Sequence, residues 1–168
     1  MTASTDASHR PEAIRALVAR CSSASLATVR HDGGGPGGPA RPYASLVETA
    51  CTASGLPVLL ISRLAWHSRN LMANPAASLL FCGPRGAGSV LESTRVTLLG
   101  TMARTSDEQA RAGYLARHAG ARMYARFADF SWWCMQVETV HVVAGFGRIE
   151  TLSGADVFPG PCGLDTMP

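Results

Sequence analysis

Apolar positions along the chain change their period three times. From Ser8 to Cys21 they recur at helical spacing (Ile14, Leu17, Val18, Cys21), with Ser8 placed to cap and Pro11 tolerated in the first turn. The chain then breaks into short β-type segments bounded by Gly, Pro, Asn or Asp: ASLATVR (24–30), RPYASLVETA (41–50), LPVLLIS (56–62), AASLLFCG (76–83) and STRVTLLGTMAR (93–104). Helical spacing returns in SDEQARAGYLARH (106–118), where Ser106 is placed to cap and Ala110, Tyr114 and Leu115 are apolar, and a second short helix is expected over 120–127. SWWCMQVETVHVVAGFG (131–147) restores β character, and residues 151–168 read as an irregular tail. HDGGGPGGPA (31–40) reads as a flexible hairpin loop. The pattern predicts a mainly β (α+β) domain over 8–150, a six-stranded antiparallel barrel with peripheral helices at 8–21 and 106–118. Because the strands are apolar on more than one face, a symmetric homodimer covering one side is expected.

Composition agrees with one domain: 168 residues, 46% hydrophobic and 16% charged, are enough for a sizeable core. A formal charge of +3, spread over arginines that form no run, does not imply nucleic acid. The chain has no lysine, so a bound phosphate would be held by Arg, His, hydroxyls or backbone N–H groups. Cys21, Cys51, Cys82, Cys134 and Cys162 are dispersed without metal spacing, which predicts reduced thiols, several of them core residues. The first residues lack the apolar stretch of a signal peptide and no apolar run is long enough to span a bilayer, so a soluble cytoplasmic protein without membrane partners is expected.

Candidate chemistry concentrates in ISRLAWHSRNLMANPAASLLF (61–81). A strand ends at Ser62, and Arg63, His67, Ser68, Arg69 and Asn70 follow before about one helical turn (70–74) and Pro75. Convergent donors of this kind hold a phosphate monoester. The same residues also suit a solvated loop in which Asn70 caps or turns the chain.

The order of segments resembles the FMN-binding split-barrel family related to pyridoxamine 5'-phosphate oxidase. More closely, it is similar to the haem-utilisation (HugZ-like) branch, on three stretches: HSRNLMANPAASLL (67–80), YLARH (114–118) and GFGR (145–148). The resemblance spans roughly residues 13 to 150. It implies that Tyr43, Ala44, Ser45 and Leu46 offer backbone groups to a flavin ring, that Ser62, Arg63, His67, Ser68 and Arg69 hold the ribityl phosphate, and that Asn70 orients the loop. His67 stands where relatives carry a phosphate-binding lysine, and it leaves a weaker, pH-sensitive charge. Of Trp132 and Trp133 only one can face the flavin, since adjacent strand residues point oppositely; Trp132 is the candidate. Glycines 145 and 147 permit a tight turn after the last strand, and Arg148 would then reach a cofactor or the other subunit.

Three functions follow from the resemblance. The first is an FMN-dependent oxidoreductase acting on a small molecule in a dimer-interface cleft, with no catalytic side chain identifiable. The second is a haem-binding or haem-degrading protein; members of the branch are known for a histidine in the C-terminal segment, whereas here no histidine follows His141. His67 or His118 is then the available ligand, His118 being otherwise explained by the helix C-terminus it ends and His141 as a structural strand residue. The third is a non-catalytic flavin-binding protein that kept the barrel.

Overall fold

The structure, a computed structural model, describes residues 11–31, 39–84, 89–145 and 147–162. The expected Ser8 cap and most of the Gly-rich connection lie outside them. Helix α1 (Pro11–Arg20) leads into β1 (Ser23–His31), β2 (Ala40–Glu48), the short β3 (Ala50–Cys51) and β4 (Pro57–Ser62). Helix α2 (Trp66–Ala73) carries the chain to β5 (Ala76–Cys82), β6 (Thr94–Arg104), α3 (Glu108–Arg117), β7 (Phe130–Ala144), β8 (Ile149–Ser153) and the short α4 (Gly154–Val157).

Every ladder is antiparallel, and the order across the sheet is β2-β1-β5-β6-β7-β4-β3, with β8 added on β7. Only Thr49 separates β2 from β3, so the two ends of that order are one strand. It pairs with β1 through Ala40–Glu48 and with β4 through Ala50–Cys51, which curls the sheet round on itself. Counting β2 and β3 together gives seven strands, one more than the six expected, because β8 adds to β7 in the same sheet. The barrel is split where β2 runs past β4 without a ladder between them.

Alternation places Leu26, Leu79, Phe81, Val96, Leu98, Val140 and Val142 inside, where each is essentially removed from water. Strand β4 is buried on both faces because α3 covers its outer side: Leu60 packs in a second cluster with Ala50, Tyr114 and Ala121. Fully burying side chains of this size contributes roughly 1.5–3 kcal/mol each. A bulge lies where the register shifts at Leu99/Gly100, and there a Cβ on Gly100 would stand 2.0 Å from the Gln136 carbonyl oxygen.

Four expectations are corrected. The described residues after 148 are not an irregular tail: β8 pairs with β7 over Ile149–Ser153, and α4 delivers Val157 and Phe158 to the core. Cys134 and Cys162 are disulfide-bonded with Cα atoms 6.0 Å apart, so the cysteines are not all reduced and no longer argue for a reducing compartment. Chain return over a distance of 28 residues left no local signal. Helix α3 is capped by Asp107, whose carboxylate accepts from the Ala110 N–H, not by Ser106. The second helix shortens to a 3-10 turn at Ala119–Met123, an Ala-Gly-Ala-Arg-Met stretch that gives a longer helix little side chain to bury. Gly145 and Gly147 adopt the left-handed conformations expected of the β7–β8 turn, with φ of 65° and 80°. Among the described residues no helix is long and apolar enough to cross a membrane.

Candidate functional site

The polar stretch after β4 is the helix α2 rather than a loop ending in one turn. Ala65 begins it without a side-chain cap, and Pro75 follows Asn74, so the helix stops where a proline nears. Its own propensity is weak; packing against β1 and β2 holds it. Side chains contribute to that packing: the Asn70 amide donates to Thr28 Oγ1 at 2.9 Å, His67 Nδ1 lies 3.0 Å from Ser45 Oγ, and Trp66 packs tilted against Tyr43 with ring centroids 5.7 Å apart. Helix α2 therefore sits beside the split between β2 and β4.

The five expected phosphate donors and the loop-orienting Asn70 do not converge. Ser62 Oγ donates to the Asp129 carboxylate at 2.6 Å, and the Arg63 N–H donates to the Asp129 carbonyl. Ser68 is fully buried with its hydroxyl unpartnered, and Asn70 is spent on Thr28. Only Arg63 and Arg69 present exposed guanidinium groups. A carboxylate within the cluster would repel a dianion, so these residues do not form a phosphate cradle within one chain.

Tyr43 and Ser45 face α2, whereas Ala44 and Leu46 project to the outer face of the sheet. The backbone edge of β2 along the split carries no ladder, as a ring-contacting strand would require. Trp132 stands edge-on to Tyr114 of α3 at 5.3 Å, within the second cluster. Arg148 lies in the β7–β8 turn, the far end of a 15-residue strand from Phe130, which pairs with Ser62. That is about 45 Å of strand contour, so one copy of the chain does not bring Arg148 to α2.

His67 instead stands alone as a half-buried imidazole. Burial pushes its pKa down, which favours the neutral ring, and Nε2 has no hydrogen-bond partner among the described residues. Leu64, Trp66 and Met72 are exposed at 67%, 48% and 60%, and the Arg30 guanidinium lies 3.9 Å above the Trp66 ring. Arg104, on the Trp133 ring, has its pKa lowered by burial and then by the charge of Arg63, a sign of positive potential at this end of the barrel. Trp66, Arg30 and Asp129 escaped the sequence reading because their partners are distant in the chain. His118 is closed to a ligand: its Nε2 is 2.9 Å from the Thr49 carbonyl and its Nδ1 3.5 Å from Glu48. His141 holds Thr151 through Nδ1 on the outer sheet face.

An imidazole with one open nitrogen, exposed aromatic and aliphatic surface, and arginines able to pair carboxylates form a donor set that fits haem. Bound there, haem would supply iron for ligand and oxygen chemistry; the chain's part is to hold the iron by an imidazole and the propionates by guanidinium groups. A cavity of about 970 Å³ lies between α1 and the outer face of β1, β2 and β5, bordered by Leu17, Arg20, Cys21, Leu46, Leu80 and Cys82, and has no histidine in its wall.

An antiparallel barrel split at one seam, with a helix beside that seam, defines a split-barrel protein of the pyridoxamine 5'-phosphate oxidase-like superfamily. The chain belongs to the CREG β-barrel family, whose profile matches residues 5–158. It is 36% identical over 116 residues to the chloroplastic heme oxygenase HOZ of Arabidopsis thaliana, covering 67% of this chain and 35% of that protein. A heme-binding protein from Mycobacterium smegmatis superimposes with a TM-score of 0.77 at 35% identity, over 88% of this chain and 59% of that one. The chain thus spans about a third of the first relative's length and under two thirds of the second's. HutZ, the heme storage protein of Vibrio cholerae, shares the fold at 24% identity with a TM-score of 0.61, over 76% of this chain and 89% of its own.

Proposed function

We propose that the protein binds haem at the split between β2 and β4, beside α2, and does so as a homodimer. The observation that carries this reading is His67 itself: a half-buried imidazole with an open Nε2 on α2, a helix that also exposes Trp66, Arg69 and Met72 and holds the Arg30 guanidinium over the Trp66 ring. Similarity to the heme-binding mycobacterial protein supports it independently. Flavin binding, which the resemblance also implied, draws less support, because Ser62, Ser68 and Asn70 are turned to internal partners or the core.

The dimer is supported by the outer sheet face. Leu46, Ser25, Leu80, Thr97, His141 and Thr151 stand opposite one another across six strands and project to one side. With Leu99 in the next row, this face leaves three leucines at least a third exposed, apolar surface that a second copy would cover. A partner would also supply what one copy lacks near α2, including an Arg148. Haem degradation is a second reading, favoured by the 36% identity to a heme oxygenase.

Titration of the purified protein with ferric haem tests the reading. A saturable shift of the Soret band at one haem per chain is expected, with FMN giving no comparable saturation. Saturation by FMN and none by haem would overturn it. Loss of the Soret band on adding a reductant in air, with release of iron, would add the oxygenase reading to binding; a stable complex would leave binding alone.

A further inference from the structure

We infer that His67 Nε2 is the nitrogen that would hold the iron of haem and that Ser45 is the residue that positions it. The inference rests on the haem reading and goes beyond it, since it assigns the metal bond to α2 although no histidine follows His141.

Two described imidazoles compete poorly. His118 has both nitrogens engaged, by Thr49 and Glu48, in a side chain only 8% exposed. His141 stands on the broad outer face that the proposed dimer covers, with Thr151 on its Nδ1. His67 alone among them combines an open nitrogen with neighbouring aromatics: Trp66 precedes it in α2 and Tyr43 packs tilted against Trp66. Helix α2 fixes its backbone, since Asn70, one turn on, is buried and bonded to Thr28 of β1.

Ser45 sets the ring. Its Oγ lies 3.0 Å from His67 Nδ1, and a serine hydroxyl can accept from an N–H as readily as it donates. When Nδ1–H donates to Ser45, the Nε2 lone pair is left for a metal and points away from β2. A metal-ligating histidine ordinarily donates its other N–H in this way, which fixes its tautomer and raises its basicity. No bond is broken and no electron moves in this step; the ligand is a lone pair placed by a hydrogen bond.

Ferrous haem complexes of the wild type, His67→Gly, Ser45→Ala, Ser45→Thr and His141→Ala test the assignment by resonance Raman spectroscopy. The wild type should show an iron–histidine stretch. It should vanish in His67→Gly and return when imidazole is added, a rescue that a merely misfolded variant would not give. Ser45→Ala should lower the stretching frequency and weaken haem roughly 10–100-fold, the usual loss for such an outer partner, and Ser45→Thr should restore both. His141→Ala should keep the band. A wild-type complex whose band survives in His67→Gly, or disappears in His141→Ala, would overturn the inference while leaving haem binding standing. A wild type that forms no complex would defeat the underlying reading instead.

Discussion

Asn70 shows how much one side chain can settle at this site. Its amide reaches Thr28 Oγ1 in a buried position and ties α2 to the barrel wall. Asn70→Ala leaves the Thr28 hydroxyl buried without that donor, so urea unfolding should show a loss of about 1–3 kcal/mol. Cys51 reports on packing from another direction: burial pushes its thiol from an ordinary 9.0 up to about 11. A pKa raised in the folded state stabilises fully below the unfolded value and is lost as pH rises through the folded one. The window is therefore about pH 9 to 11, and Tyr114, raised by its own burial, acts in the same direction at higher pH. Thermal melts across that window should fall for the wild type and fall less for Cys51→Ala; parallel declines would mean that the thiol ionises freely in the fold. At this scale the sequence disclosed residue types but not partners. Ser45 and His67 were both candidates, in separate roles, and nothing local joins positions 22 residues apart.

Among the elements, the six expected strands were legible because alternation bounded by Gly and Pro is a local signal. Helix α2 was not, since its histidine, serine, arginine and asparagine suit a loop and its helicity comes from packing. Strand β8 and α4 were hidden for a similar reason: Ile149 is exposed and Leu152 only half-buried, so no clear period marks them. Their hold on the barrel is covalent as well as apolar. Reducing the Cys134–Cys162 bond, which closes a 28-residue separation, should cost about 3–4 kcal/mol by chain entropy. Cys162→Ser should show the same loss by denaturant titration, and no change would mean that the segment is held by Val157 and Phe158 alone. At the β6 bulge, Gly100→Ala drives a Cβ into the Gln136 carbonyl, and a penalty of roughly 3 kcal/mol or failure to fold is expected.

The whole molecule joins a split barrel, a partly exposed apolar sheet face and His67 beside the seam. If a second copy covers that face, Leu46→Glu or Leu99→Glu should shift sedimentation from dimer to monomer, because a charge would be buried in an apolar contact. A wild-type monomer at micromolar concentration would remove the dimer while leaving the seam site to be judged separately. Most direct is hydrogen–deuterium exchange read by mass spectrometry, with and without ferric haem. Slower exchange is expected in peptides over 41–47 and 63–72, the β2 edge and α2, with 13–25 and 80–94 unchanged. Protection confined to the latter would move the ligand to the cavity beside α1, and no protection anywhere would contradict haem binding at the seam.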